Sequence, residues 1–170
     1  MANKDALRAL QSRLAERLQQ ARTQERVASW LAVECGGHGF LLPLEQAGEI
    51  FALVPLVPVP HTRPWFAGVA NLRGGLYGVV DLARFIGLPA PRGDEARLIA
   101  FNPALEPNCA LLVERLAGLR SAAQLTALPA AEAPRPAFVG TRFVDAAGRD
   151  WQELNLAALA ADEAFMKIAA

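Results

Sequence analysis

Leucines recur every three or four positions near the start of the chain, at Leu7, Leu10, Leu14 and Leu18, with charged residues between them. This spacing places the four side chains on one face of an α-helix. It therefore predicts an N-terminal amphipathic helix over residues 1–28. Most such faces pack on the protein's own domain, and the alternative is a helix offered to a partner. In either case we expect the leucine face to be buried.

After residue 28 the apolar positions alternate in the manner typical of β-strands. Residues 30–34 and 40–44 flank a glycine-rich turn and predict a hairpin. Residues 68–80 predict a second hairpin, which turns at residues 73–75. Further strands are expected at residues 97–101, 109–114, 122–128, 138–144 and 149–154. The stretch between residues 44 and 50 is interpreted as a turn or a short helix.

The predicted helices after residue 28 are short or terminal. Asp81 is a suitable N-cap for a helix over residues 82–86, and Asn155 for a C-terminal helix over residues 155–167. Because many short strands alternate with turns rather than with long helices, the pattern predicts small β-barrels and not a βαβ sheet. The proline-rich stretch at residues 54–60 is consistent with a division of the chain into two such barrels.

Composition narrows the class of partner. The 170 residues are 53% hydrophobic and 20% charged, which is enough apolar material for a folded core. Lysine plus arginine equals aspartate plus glutamate, 17 each, so neither nucleic acid nor an anionic membrane is expected as the main partner. No stretch has the length of a membrane span and the start does not resemble a signal peptide. A cytoplasmic protein without membrane insertion is therefore expected.

Candidate catalytic groups are scattered. His38 and His61 have no cysteine or histidine at metal-ligand spacing, and no serine stands in a nucleophile motif. Cys35 and Cys109 are expected to be buried free thiols in a reducing compartment, with a disulfide between them as the alternative. The sequence therefore predicts no enzyme activity, no metal site and no cofactor, with a nucleophilic Cys35 as the weakest of the alternatives.

The most informative segment is GVANLRGGLYGVVDLARFIGLP, residues 68–89. Gly68 permits a backbone conformation or a close approach that a side chain would obstruct. Gly74 and Gly75 are expected to supply the positive φ angles of a tight hairpin turn. Asn71 can hydrogen-bond nearby backbone, and the narrow turn is expected to push the Arg73 side chain outward.

This segment resembles the central motif of the CheW-like chemotaxis adaptor family, and weaker similarity covers most of the chain. The resemblance implies two SH3-like, five-stranded β-barrels that share a core, interleaved within a domain of residues 29–170. The end of the chain, from Trp151 to Leu156, and the N-terminal helix resemble the PilI branch of the family, which serves type IV pilus twitching motility. Gly78 and Glu114 depart from the family, which often has proline and aspartate at these positions.

The resemblance also implies a function. It is that of a non-catalytic adaptor that couples the cytoplasmic tip of a methyl-accepting chemoreceptor to a CheA-type histidine kinase. The implied receptor contacts are Val69, Asn71, Leu72, Arg73 and Gly74, whereas the kinase-binding residues are left unassigned. A regulatory barrel that binds a small ligand is the alternative, and an apolar pocket with convergent polar groups would favour it.

Overall fold

The computed structural model describes the backbone of residues 2–170 and the side chains of residues 3–20 and 29–170. Within that range the chain is mostly β, as predicted. The strands are β1 (Ala28–Cys35), β2 (His38–Pro43), β3 (Ala47–Ala52), β4 (Phe66–Leu72), β5 (Gly75–Asp81), β6 (Arg97–Phe101), β7 (Cys109–Val113), β8 (Arg115–Ser121), β9 (Leu125–Ala127), β10 (Val139–Asp145) and β11 (Asp150–Leu154). The α-helices are α1 (Ala2–Val27), α2 (Leu82–Phe85), α3 (Leu156–Ala160) and α4 (Glu163–Met166).

The first sheet combines strands from both ends of the chain. Its order is β8-β1-β2-β11-β10-β9, and all neighbours are antiparallel except β2 and β11. It has six strands rather than the predicted five because the short strand β9 adds to the edge beside β10. The parallel pair brings Gly39 of β2 beside Trp151 of β11.

The second sheet is built from one continuous stretch of chain. Its order is β3-β6-β7-β5-β4, with β5 and β7 parallel. Strands β3 and β4 are its edges. The segment before β4 partly covers one of these edges, because Val57 and Val69 exchange both backbone hydrogen bonds at 2.9 Å.

Three apolar clusters fill the molecule. The largest is a shared core between the two sheets, with buried residues such as Val33 of β1 and Ile99 of β6, and with Leu156, Leu159 and Phe165 of the C-terminal helices. A smaller cluster fills the inner side of the second sheet, and another, around Trp151, lies on the other face of the first. The implied arrangement of two barrels around a common core is thus observed.

Helix α1 does not bury its leucine face. Leu7, Leu10, Leu14 and Leu18 are between 52% and 63% exposed, so the expectation that the stripe packs on its own domain is wrong. Residues 21–28 of the predicted helix lie outside the described side chains. Within the described residues, no helix has the length and apolar character needed to cross a bilayer.

Two other local predictions need correction. The stretch of residues 44–50, interpreted as a turn or helix, overlaps β3, an edge strand that pairs with β6. The C-terminal helix is broken into α3 and α4 because Asp162 caps a new helix, accepting a hydrogen bond from the Phe165 N–H at 3.0 Å. The caps predicted at Asp81 and Asn155 are confirmed, with backbone N–H groups of Arg84 and Ala158 as donors at 3.3 and 2.9 Å.

Candidate protein-interaction site

The turn between β4 and β5 is a two-residue hairpin loop. Leu72 pairs with Gly75, and the loop residues Arg73 and Gly74 have φ angles of 49° and 79°. Positive φ at both loop positions is the geometry of a type I′ turn. The prediction that Gly74 and Gly75 supply these angles is therefore wrong by one residue. The Asn71 side chain accepts the Gly74 N–H at 2.9 Å, which fixes the turn as expected.

Arg73 projects from this turn into solvent. Its side chain is 77% exposed, and its guanidinium lies 2.8 Å from the Glu49 carboxylate on β3. Since β3 and β4 are opposite edges of the second sheet, this ion pair draws the hairpin tip towards the far edge of the barrel. A pair this exposed contributes only about 0–1 kcal/mol to folding, so most of the binding capacity of the guanidinium remains available.

The outer face of the hairpin carries apolar side chains. Val69 and Asn71 share one face of β4, whereas Ala70 and Leu72 point inward and are buried. Leu76 lies opposite Asn71 and is 65% exposed. Val57, opposite Val69, is also exposed. We call this surface the hairpin patch, defined by Val57, Val69, Asn71, Arg73 and Leu76.

Gly68 allows the hairpin patch to extend beyond β4. Its φ is 131°, and a Cβ atom there would lie 2.4 Å from the Val57 carbonyl oxygen. No L side chain fits this approach, so the predicted need for glycine is confirmed. The close approach seats Val57 on the edge of β4 and adds an apolar side chain to the patch.

Gly78, where the resemblance noted above implied proline, lies within β5. The Gly78 N–H donates to the Asn108 carbonyl oxygen at 2.9 Å, a bond that proline could not make. A Cβ atom at this position would lie 3.2 Å from the ring of Phe66. Strand β5, which lies between β4 and β7, therefore keeps its regular pairing at this position without a side chain.

A charged cluster stabilises the first sheet near the turn between β1 and β2. Glu34, which is buried, accepts hydrogen bonds from Arg115 and Arg149. The bond from Arg115 is the main cause that lowers the pKa of Glu34 below its usual value. The Arg149 guanidinium also lies 4.6 Å from the centre of the Trp151 ring. This cluster ties β1, β8 and the β10–β11 turn together.

The two cysteines are buried and free, as predicted. Burial raises the pKa of the Cys35 thiol and of the Cys109 thiol to about 12. With this raised pKa, Cys35 is protonated at neutral pH. Because the thiolate is the nucleophilic form of cysteine, a buried and protonated Cys35 is poorly suited to covalent chemistry. This argues against the alternative of an enzyme that uses Cys35.

A solvent-open cleft of about 590 Å³ lies beside the turn between β1 and β2, and its lining includes His38, Ile86, Leu88, Arg142 and Asp150. Arg142 and Asp150 pair with each other across 2.9 Å. The faces of the two sheets that turn away from the shared core are covered by the two smaller buried clusters described above. The arrangement of filled barrels favours protein contact over the ligand-binding alternative.

The predicted receptor contacts therefore differ in how far they are buried. Arg73, Gly74 and Asn71 are exposed at the turn, whereas Leu72 is only 3% exposed and supports the turn from inside. Val69 is half-buried in the patch. Sequence reasoning missed Val57, Leu76 and Glu49. Strand alternation places Leu76 beside Asn71 once the turn position is known, but nothing local predicts the pairing with Val57 or Glu49.

Comparison with known proteins gives consistent matches. The family model described as the CheW-like domain matches residues 29–164. Protein PilI of Pseudomonas aeruginosa is 29% identical over 57% of this chain and 56% of its own length. The chemotaxis protein CheW of Rhizobium meliloti is 26% identical over 52% of this chain and 57% of its own length. The chain thus spans little more than half the length of these curated relatives.

A solved structure shares the fold. The scaffolding protein TtCheW from Thermoanaerobacter tengcongensis superposes with a TM-score of 0.63, covering 75% of this chain and 88% of that chain at 18% identity. At this identity the similarity concerns the fold alone. The matched family region begins at residue 29 and so leaves out all of α1.

Proposed function

Because the chain belongs to the CheW-like domain family, we propose that it is a non-catalytic adaptor that couples the cytoplasmic tip of a methyl-accepting chemoreceptor to a CheA-type histidine kinase. The similarity to a protein PilI supports a pathway that controls type IV pilus twitching motility. The hairpin patch is the proposed receptor site, and receptor and kinase bind separate surfaces.

The observation that carries this proposal is the position of Arg73. A bulky residue at φ 49° occupies a conformation that asparagine or glycine adopts more easily. The turn nevertheless presents an exposed arginine, directly after the buried Leu72. A strained residue whose side chain adds little to folding is expected where that side chain serves recognition.

The chemistry of the hairpin patch fits a helical partner. A guanidinium offers five donors in a rigid fork that can hold a carboxylate or a helix carbonyl. Leu76 and, further along β4 opposite Val69, Val57 supply exposed apolar area on the same face. An arginine with an apolar surround is a typical centre of a protein interface. We therefore propose that a carboxylate-bearing receptor helix lies along the outer face of β4 and β5.

The test is the charge reversal Arg73→Glu, measured by calorimetry against a chemoreceptor cytoplasmic-tip fragment. We expect receptor affinity to fall about 30-fold, or about 2 kcal/mol, which is the usual scale for an interface centre. The folding free energy should change by only about 0.5 kcal/mol, because the lost pair with Glu49 is exposed. Affinity for the kinase should not change.

Arg92→Glu is the matched control, since Arg92 is also exposed and the substitution makes the same change in net charge. It should retain wild-type affinity for the receptor fragment. Equal receptor affinity of Arg73→Glu and wild type, with both folded, would remove the hairpin patch from the receptor site. A melting temperature that collapses in Arg73→Glu would show instead that the arginine is structural.

A further inference from the structure

Helix α1 presents a narrow apolar stripe that is exposed within the described part of the chain. The four leucines of the stripe are each more than half exposed. At 3.6 residues per turn they fall within an arc of about 80° around the helix axis. An arc of this width corresponds to the contact seam of one partner helix, whereas a helix that packs on a broad core has a wider apolar face.

The spacing of the leucines also gives the direction of the stripe. The steps from Leu7 to Leu18 are three, four and four residues, which together make an eleven-residue repeat. This repeat has slightly more residues per turn than an ideal α-helix, so its stripe runs almost parallel to the axis. A partner helix can therefore lie nearly straight along α1, without the left-handed supercoil of heptad sequences.

Charged residues are sorted around the stripe. Lys4 and Arg8 lie on one flank of it, and Arg13 and Arg17 lie on the other. The two carboxylates of this segment, Asp5 and Glu16, lie on the face opposite the leucines. Four cations and two carboxylates give residues 3–20 a net charge of +2. Both edges of the apolar seam are therefore positive.

The cations on both flanks distinguish between the molecules that could cover the leucine stripe. A second copy of α1 would bring cations against cations on both flanks, in either orientation, which is unfavourable. A bilayer surface usually requires a broader apolar face, often with aromatic residues, and the stripe contains only leucines. A partner helix whose own apolar seam is flanked by glutamate or aspartate would satisfy both the leucines and the four cations.

We propose that α1 is a second docking element, which binds an acidic-flanked amphipathic helix of a partner protein through its leucine stripe and flanking cations. It lies entirely outside the matched family region, which begins at residue 29. The site does not depend on the hairpin patch and stands whether or not Arg73 contacts a receptor. It would give the protein a contact beyond those of its CheW-like domain.

The test uses the full chain and two synthetic helical peptides. The acidic probe has leucines at the same spacing with glutamate on both flanks, and the basic probe has lysine in place of each glutamate. Fluorescence anisotropy should show binding of the acidic probe, at least tenfold tighter than that of the basic probe and weaker in higher salt. The variants Leu10→Gln/Leu14→Gln and Arg13→Glu/Arg17→Glu should each bind the acidic probe at least tenfold more weakly.

The control variant is Ala9→Gln/Ser12→Gln, which alters the opposite face of the helix and should bind like wild type. Circular dichroism on all variants checks that the helix persists, since glutamine and glutamate are good helix formers. Equal binding of the two probes, or no binding of either, would overturn the proposal. So would leucine-dependent dimerisation in analytical ultracentrifugation, or leucine-dependent binding to phosphatidylglycerol vesicles without binding of the acidic probe.

Discussion

Two hairpin turns of this molecule have nearly the same backbone and different residues at the first loop position. Between β1 and β2 the loop is Gly36-Gly37, with φ angles of 56° and 79°. Between β4 and β5 it is Arg73-Gly74, with φ angles of 49° and 79°. Both are two-residue loops whose positive φ angles suit the twist of the flanking strands.

The surroundings explain why only the first loop requires two glycines. A Cβ atom on Gly36 would lie 2.7 Å from both the Leu88 Cβ and the Pro89 carbonyl oxygen. The Arg73 side chain instead extends into solvent. The backbone conformation alone therefore does not determine the residue. Packing excludes a side chain from one loop, whereas the other is free to carry a recognition group.

The largest expected effect that tests this contrast comes from Gly36→Ala. Its methyl group must displace backbone and Leu88, so we expect the free energy of unfolding to fall by about 3 kcal/mol. Gly37→Ala is the matched control, because a Cβ there meets nothing within 4 Å. It should cost only about 1 kcal/mol for the positive φ. Denaturant unfolding of both variants checks the prediction, and equal losses would refute the packing argument.

A smaller effect is expected at Glu34, which precedes the first turn as Asn71 precedes the second. Glu34 is buried between Arg115 and Arg149, whereas Asn71 bonds only to its own turn. Glu34→Gln removes the charge and weakens both arginine bonds, so unfolding free energy at neutral pH should fall by about 1.5 kcal/mol. Denaturant midpoints measured across pH check this prediction.

The sign of the pH dependence follows from the lowered pKa of Glu34, whose main cause is the Arg115 hydrogen bond. A carboxyl with a lowered folded-state pKa stabilises the fold above its unfolded-state pKa, near 4.5, and loses this contribution as pH falls through the folded-state pKa. The stability difference between wild type and Glu34→Gln should therefore shrink as the pH drops below about 4.5. A difference that stays constant down to low pH would show that the carboxylate is not stabilised by its arginines.

The smallest folding effect is expected at Arg73, and its sign is opposite. Asparagine is favoured at the first position of this turn type, so Arg73→Asn should raise the free energy of unfolding by about 0.5 kcal/mol. The same variant should lose about tenfold in receptor affinity if the guanidinium is the recognition group. Thermal unfolding and calorimetry on one preparation check both parts. If the variant is less stable yet binds normally, Arg73 serves the fold rather than recognition, and the contrast between the two turns is wrong.

The hairpins were predictable from sequence because their information is local. Glycine pairs between apolar runs predicted both turns, and strand alternation then fixed which side chains face outward. The error of one residue in the second turn has a physical reason. Arg73 rather than Gly75 adopts positive φ, and a bulky residue in that conformation runs against the usual preference.

Other parts of the fold depend on partners far along the chain. The stretch from Ala47 to Ala52 becomes a strand because β6 pairs with it. Strand β8 contains Gly118 at φ 90°, within the register irregularity where it pairs with β1, and its apolar pattern is correspondingly broken. The parallel pairs β2–β11 and β5–β7 leave no local trace. The ion pair of Arg73 with Glu49 and the contact of Val57 with Val69 were missed for the same reason.

The way the two sheets divide the chain has a consequence for synthesis on the ribosome. All strands of the second sheet lie between Ala47 and Val113, so a nascent chain can complete it before the rest is translated. The first sheet cannot be completed until β11 emerges, because Gly39 of β2 must wait for Trp151. Until then β2 exposes an unpaired edge, which is the kind of surface that chaperones protect. We therefore expect premature termination between β7 and β11 to release a chain with one finished sheet and one open template for aggregation.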